Sequence, residues 1–190
     1  MRPNDTLLEL LMELQNLDRV PRMGYALRGV ADAESVAEHT FHVALLVWAL
    51  APSTPGVDTR RALELALVHD LAEVRTGDLP MTAARYLPDG AKASAEATAL
   101  AELLAPLGER AEDLAAELER RETTEARFVK ACDKLQLMLK VTAYQNAGAG
   151  GLDEFWAHEA NFPDTEFAAV RELFEDLRRS RSKAGAGIRE

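Results

Sequence analysis

Apolar residues recur along the chain at spacings of three and four, and stretches that alternate residue by residue are nearly absent, so the pattern predicts an all-α fold. The first helix is expected over residues 5–17, with Leu7, Leu10, Leu11 and Leu14 on one stripe, and the loop DRVPRMGYALRGVADAE follows it. Ser35 and Glu38 form an S-x-x-E capping box that opens a second helix reaching Leu50, where APSTPG stops it. Asp58 caps a third helix that runs to Gly77. From Gly90 to Arg121 the Ala/Glu/Leu-rich sequence predicts two amphipathic helices broken at APLGER. The long helix TTEARFVKACDKLQLMLKVTAYQNAG comes next and ends in glycines. One short and one longer helix close the chain, the longer over 164–181, and residues 182–190 are expected to fray. Neither a repeat nor a linker interrupts the pattern. The expectation is a single domain over 1–190 with its core within 5–160.

A few polar residues violate the pattern. In the third helix Leu63, Ala66, Leu67, Leu71 and Val74 make the stripe that should face the core, and Asp70 falls inside it with His69 beside it. The inward row of the second helix reads Val36, His39 or Thr40, Val43, Leu46 or Val47, and Leu50. In the long helix Asp133 stands one turn from both Val129 and Leu137, on a row that continues to Val141. Each intrusion alone suits a hydrogen-bonded core residue, a cap or an ion pair. Together they need compensation, because an unpaired buried carboxylate costs several kcal/mol or takes up a proton. One cation shared by His39, His69, Asp70 and Asp133 satisfies all of them. Two imidazoles with two carboxylates suit a divalent transition metal and leave positions open for water and substrate.

The chain has 190 residues, 47% of them hydrophobic, which is enough for a sizeable core. A formal net charge of −10 argues against a protein that wraps nucleic acid, but a small phosphorylated ligand needs only a local positive site. No run of about 18 apolar residues and no basic stretch leading into an apolar segment is present, so neither a membrane span nor a signal peptide is expected, and the expected location is the cytoplasm. The single cysteine, Cys132, cannot form an internal disulfide and agrees with that expectation.

The order His39, then His69-Asp70, then Asp133, each set on its own predicted helix, resembles the H…HD…D signature of the HD-domain metal-dependent phosphohydrolases. The words RVPRMGY, ESVAEHT, ALVHDLAEVRTGD and EARFVKACDKL are similar to the branch containing 5'-deoxynucleotidases, which release phosphate from deoxynucleoside monophosphates. The likeness runs from Leu7 to Trp156. It implies a compact helical bundle, one divalent metal such as Mn, Co or Zn on those four residues, a nucleotide substrate and a homodimer, whose interface the Ala/Leu-rich helices could supply. It also implies a phosphate-facing Arg22, and substrate contact or proton transfer at Asp78, for which turn capping is the alternative.

Hydrolysis of a phosphate monoester needs an activated water, neutralised phosphoryl oxygens and a proton for the leaving sugar oxygen. Glu73 lies four residues after His69 and three after Asp70, on the same helix face, where a carboxylate can orient or deprotonate the water. The other possibility is a surface carboxylate paired with Arg75 or Arg60. His42 is read as a core or surface residue or a partner of His39, His158 is unassigned, and Tyr25 stands where relatives often carry tryptophan. Lys130 and Lys134 are read as helix-surface charges. Two other functions stay open: a nucleoside triphosphate hydrolase or phosphodiesterase of the HD type, which requires further basic residues, and a helical binding module with a structural metal, which has no use for a general base.

Overall fold

The structure is a computed structural model and describes residues 3–186. Along the chain run α1 (Pro3–Leu14), α2 (Met23–Ala26), α3 (Val36–Leu50), α4 (Thr59–Val68), α5 (Glu73–Thr76), α6 (Met81–Ala84), α7 (Ala91–Leu104), α8 (Glu109–Arg120), α9 (Thr124–Asn146), α10 (Asp153–Ala157) and α11 (Ala168–Ala186). Short 3-10 turns join several of them, and the β pairing among the described residues is a single bridge between Pro21 and Ser35. No described helix is long and apolar enough to cross a membrane.

Helices α3, α4 and α9 pack on one another and form the centre. Val36, Val43 and Val47 of α3, Ala62, Leu65 and Ala66 of α4, and Phe128, Cys132, Leu135 and Met138 of α9 are buried there. The fully covered Phe128 meets Phe167 edge to face with ring centroids 5.0 Å apart, which fixes the chain entering α11 against α9. A second cluster joins Ala72 to Leu100 and Leu104 of α7 and Ala111 and Ala115 of α8. The local signals hold where the sequence placed them. Ser35 and Glu38 make both bonds of the capping box, and the Asp58 side chain accepts the Arg61 backbone N–H.

Three expectations change. The α1 stripe is largely uncovered: Leu10 is buried while Leu7 and Leu11 are exposed, because α1 rests along its edge on neighbouring 3-10 turns. The tail expected to fray stays helical as far as Ala186, and residues 187–190 lie outside the described part. The third helix is not continuous. It ends at Val68, and the chain tightens into i to i+3 hydrogen bonds, Leu71 to Val68 and Glu73 to Asp70, before α5. Leu67, expected in the core, is 56% exposed, while Leu65 and Ala72 are buried.

Candidate active site and metal centre

The break after Val68 shapes the site. The His69 imidazole Nδ1 lies 2.8 Å from the Ala66 carbonyl, a group that in an unbroken helix accepts the Asp70 N–H. The resulting turn aims His69 and Asp70 at the first turns of α3, where His39 is fully buried, and at the middle of α9, where Asp133 is buried. His39 Nε2 lies 3.4 Å from His69 Nε2, 3.4 Å from Asp70 Oδ2 and 3.3 Å from Asp133 Oδ1, and His69 Nε2 lies 3.3 Å from Asp70 Oδ2. Donor atoms of His39, His69 and Asp70 all fall within 4.8 Å of one another, and Asp133 joins them through His39.

This donor set fits a divalent transition cation. A carbonyl can only accept, so His69 carries a hydrogen on Nδ1, and in the neutral imidazole its Nε2 offers a lone pair toward His39 Nε2. Two imidazole nitrogens facing each other beside two carboxylates require positive charge between them. In the absence of a cation the site's own groups supply that charge. Burial and Arg22 oppose a proton on His39, yet hydrogen bonds to Asp133 and Asp70 prevail and raise it to about 9. Burial also opposes ionisation of Asp70 and Asp133, but the adjacent His69 imidazole for the first and the Lys130 ammonium for the second, with His39 bonded to both, hold each carboxyl well below the usual range.

Glu73 opens α5 and is buried, and its Oε2 has no hydrogen-bond partner. Burial, then repulsion from Asp70 and Asp78, pushes its carboxyl up to about 9 against the opposing charge of Arg22. Neither Arg75 nor Arg60 holds it: Arg75 bonds Glu13 and Glu102, and Arg60 bonds Glu64. The Arg22 Nη1 lies 3.2 Å from Asp70, 3.6 Å from Glu73 and 3.6 Å from Asp78, so this arginine ties three carboxylates together. Asp78 follows Gly77, which has φ 70°, and accepts the Met23 backbone N–H at 2.6 Å. It thus caps α2 while facing the same space.

That space is a cleft of about 830 Å³ that reaches from His69, Asp70, Glu73 and Asp133 outward. Lys130 and Lys134 line it: Lys130 is exposed as read from the sequence but bonds Asp133 Oδ2 at 2.5 Å, whereas Lys134 is half-buried and burial lowers its ammonium. Lys92 and Arg85 also line it, Lys92 being fixed by a bond to the Leu79 carbonyl. An overall acidic chain therefore presents a cleft in which seven basic side chains stand against seven carboxylates. Tyr25 sits at its floor, buried, stacked on Phe155 with centroids 5.4 Å apart and donating to the Leu137 carbonyl. His158 lies at the rim.

The sequence reading passed over Glu34, Gln136 and Lys140, which stand behind His39. Gln136 Oε1 is 2.7 Å from His39 Nδ1, its Nε2 donates to both Glu34 oxygens at 3.2 and 3.0 Å, and Lys140 pairs with Glu34 at 3.0 Å. His42 Nδ1 lies 3.7 Å from Glu34 and so belongs to this group instead of touching His39. A signal was present: Asp133, Gln136 and Lys140 stand three and four positions apart, a polar row among the apolar residues of the long helix.

The family model described as HD domain matches residues 14–171. Over 186 residues the chain is 31% identical to the human protein 5'-deoxynucleotidase HDDC2, covering 93% of this chain and 87% of that one. It is 38% identical over 109 residues to the dATP triphosphohydrolase of cyanophage S-2L, covering 56% of this chain and 55% of that one. Among solved structures, a conserved hypothetical protein from Pyrococcus furiosus superposes with a TM-score of 0.80 at 34% identity, covering 90% of this chain and 99% of that chain.

Proposed function

The chain belongs to the HD domain family and is a metal-dependent phosphohydrolase, and from that premise we propose that it is a cytoplasmic enzyme releasing phosphate from deoxyribonucleoside 5'-monophosphates, with His39, His69, Asp70 and Asp133 holding one divalent cation such as Mn, Co or Zn. The observation that carries the reading is the convergence on His39 Nε2 of His69 Nε2, Asp70 and Asp133, each 3.3 to 3.4 Å from it, at the inner end of a cleft lined by lysines and arginines as well as carboxylates. The human relative supplies the substrate class.

When bound, the cation supplies Lewis acidity to the phosphoryl oxygens, lowers the pKa of water beside it and favours the ionised form of Glu73. Glu73, with Oε2 free of any hydrogen bond, takes the proton of the attacking water. Arg22 holds Asp70, Glu73 and Asp78 in register through Nη1, and the rest of its guanidinium fork is the proposed phosphate contact. Asp78, anchored by the Met23 N–H, contacts the substrate or delivers the proton to the leaving sugar oxygen. Lys134 and Lys92 add positive charge along the approach.

One observation keeps a triphosphohydrolase reading beside this one: Lys92, Lys134 and Arg85 along the cleft also suit a longer phosphate chain, and the cyanophage relative is named for dATP. The deciding experiment is a screen for phosphate, pyrophosphate and triphosphate release from nucleoside and deoxynucleoside mono-, di- and triphosphates, with each of Mn, Co and Zn. Deoxynucleoside monophosphates are expected to turn over fastest; faster turnover of triphosphates reverses the assignment.

A homodimer is proposed as well. Its surface is not α7 and α8, which turn Leu100, Leu103, Leu104 and Leu114 inward, but the uncovered apolar residues of α1 and α3: Leu8, Met12, Phe41, Leu45 and Trp48.

A further inference from the structure

Gln136 and Glu34 come from positions 102 residues apart and are both almost fully buried, yet neither touches the cleft. Buried polar pairs of this kind are costly unless every bond is made, and here the bonds are directional. Glu34 is paired with the Lys140 ammonium, and an ionised carboxylate can only accept. The Gln136 amide must therefore turn its NH2 to Glu34, as the 3.2 and 3.0 Å contacts show. Its planar amide then leaves Oε1 toward His39 Nδ1 at 2.7 Å, and that oxygen also only accepts. A hydrogen is thereby held on Nδ1, and when a cation displaces the proton that Nε2 shares with Asp70 and Asp133, the lone pair freed on Nε2 faces Asp70, Asp133 and His69.

We propose that Gln136, oriented by Glu34, is a positioning residue that holds His39 in its Nδ1–H form and so keeps Nε2 available as a metal ligand. The inference rests on the reading of His39 as a ligand. His69 reaches the same form through the Ala66 carbonyl, so the two facing imidazoles are set by independent devices, one local and one tertiary. The neutral amide relays the orientation of Glu34 without bringing its charge against the imidazole; the Glu34 oxygen stays 4.0 Å from Nδ1. Glu34 also accepts the Arg22 backbone N–H at 2.8 Å through its own carbonyl, so the same residue anchors the arginine of the cleft.

The test uses zinc, a diamagnetic probe, with the full chain. Zinc affinity is measured by competition with a chromophoric chelator, and the His39 ring nitrogens are followed in the zinc-loaded protein by long-range proton–nitrogen NMR. Wild type is expected to bind one zinc with the His39 hydrogen on Nδ1. Gln136→Met keeps length and volume but removes the acceptor, and its zinc affinity should fall roughly 10- to 100-fold with loss of the protected Nδ1–H signal. The double exchange Glu34→Gln with Gln136→Glu restores an acceptor at His39 and a donor behind it, and should recover both readouts. Glu34→Gln alone, which frees Gln136 to present either end, should weaken zinc in the same direction and decides the matter if Gln136→Met fails to fold. Wild-type affinity with an unchanged His39 pattern in a folded Gln136→Met or Glu34→Gln protein overturns the proposal. A wild type that binds no zinc overturns the ligand reading beneath it.

Discussion

Replacing Glu73 with glutamine should stabilise the metal-free protein while disabling the enzyme. The side chain is 4% exposed, and burial with Asp70 and Asp78 nearby carries its carboxyl from 4.5 to about 9. In the unfolded chain the proton leaves near the ordinary value, so between those limits the native state holds a proton that the unfolded state has lost. Stability then falls as pH rises through that window, and glutamine, which carries no such proton, escapes the loss. Fully expressed at pH 8 the displacement corresponds to roughly 5 kcal/mol at 1.36 kcal/mol per pH interval. Water in the open cleft relaxes around the ionised group, and about 2 kcal/mol is the expected gain. For a chain of this size that is about 4 to 8 °C in Tm. Thermal unfolding of wild type and Glu73→Gln in excess chelator, from pH 5 to pH 9, reads it directly: the curves should coincide at the acid end and separate as pH rises. With metal restored, the same variant should keep its ion and lose roughly 10²-fold or more in kcat, the contribution of a positioned base. A pH-independent gap, or none at pH 8, refutes the electrostatic account; near-normal turnover refutes the role in chemistry.

Asp70→Ala should abolish metal binding and activity together, checked by metal analysis of the purified protein alongside circular dichroism; one ion per chain in a folded variant removes Asp70 from the ligand set. Trp48→Glu, on the exposed face of α3, should convert a dimer to a monomer in sedimentation without lowering Tm, whereas a monomeric wild type ends the dimer proposal.

The sequence by itself determined whatever depends on neighbours along the chain. The capping box at Ser35 and Glu38, the Asp58 cap, the glycine that ends α5 and the long apolar face of α9 are made by residues a few positions apart, so spacing and residue type suffice to place them. The polar intrusions His39, His69, Asp70 and Asp133 were visible for the same reason: each breaks a local period, and the structure brings all four together. Only the tertiary structure decided the rest. Periodicity carried the third helix through to Gly77, but the His69 side chain competes for the Ala66 carbonyl, and the outcome turns on what the imidazole then meets on α3 and α9. Lys130 and Lys134 look like ordinary helix-surface charges until the 78–90 segment closes a cleft in front of them. The Glu34 and Gln136 pair had no reading in the sequence, because a hydrogen bond across 102 residues exists only after the chain is folded, when burial makes its direction strong enough to set the proton of His39.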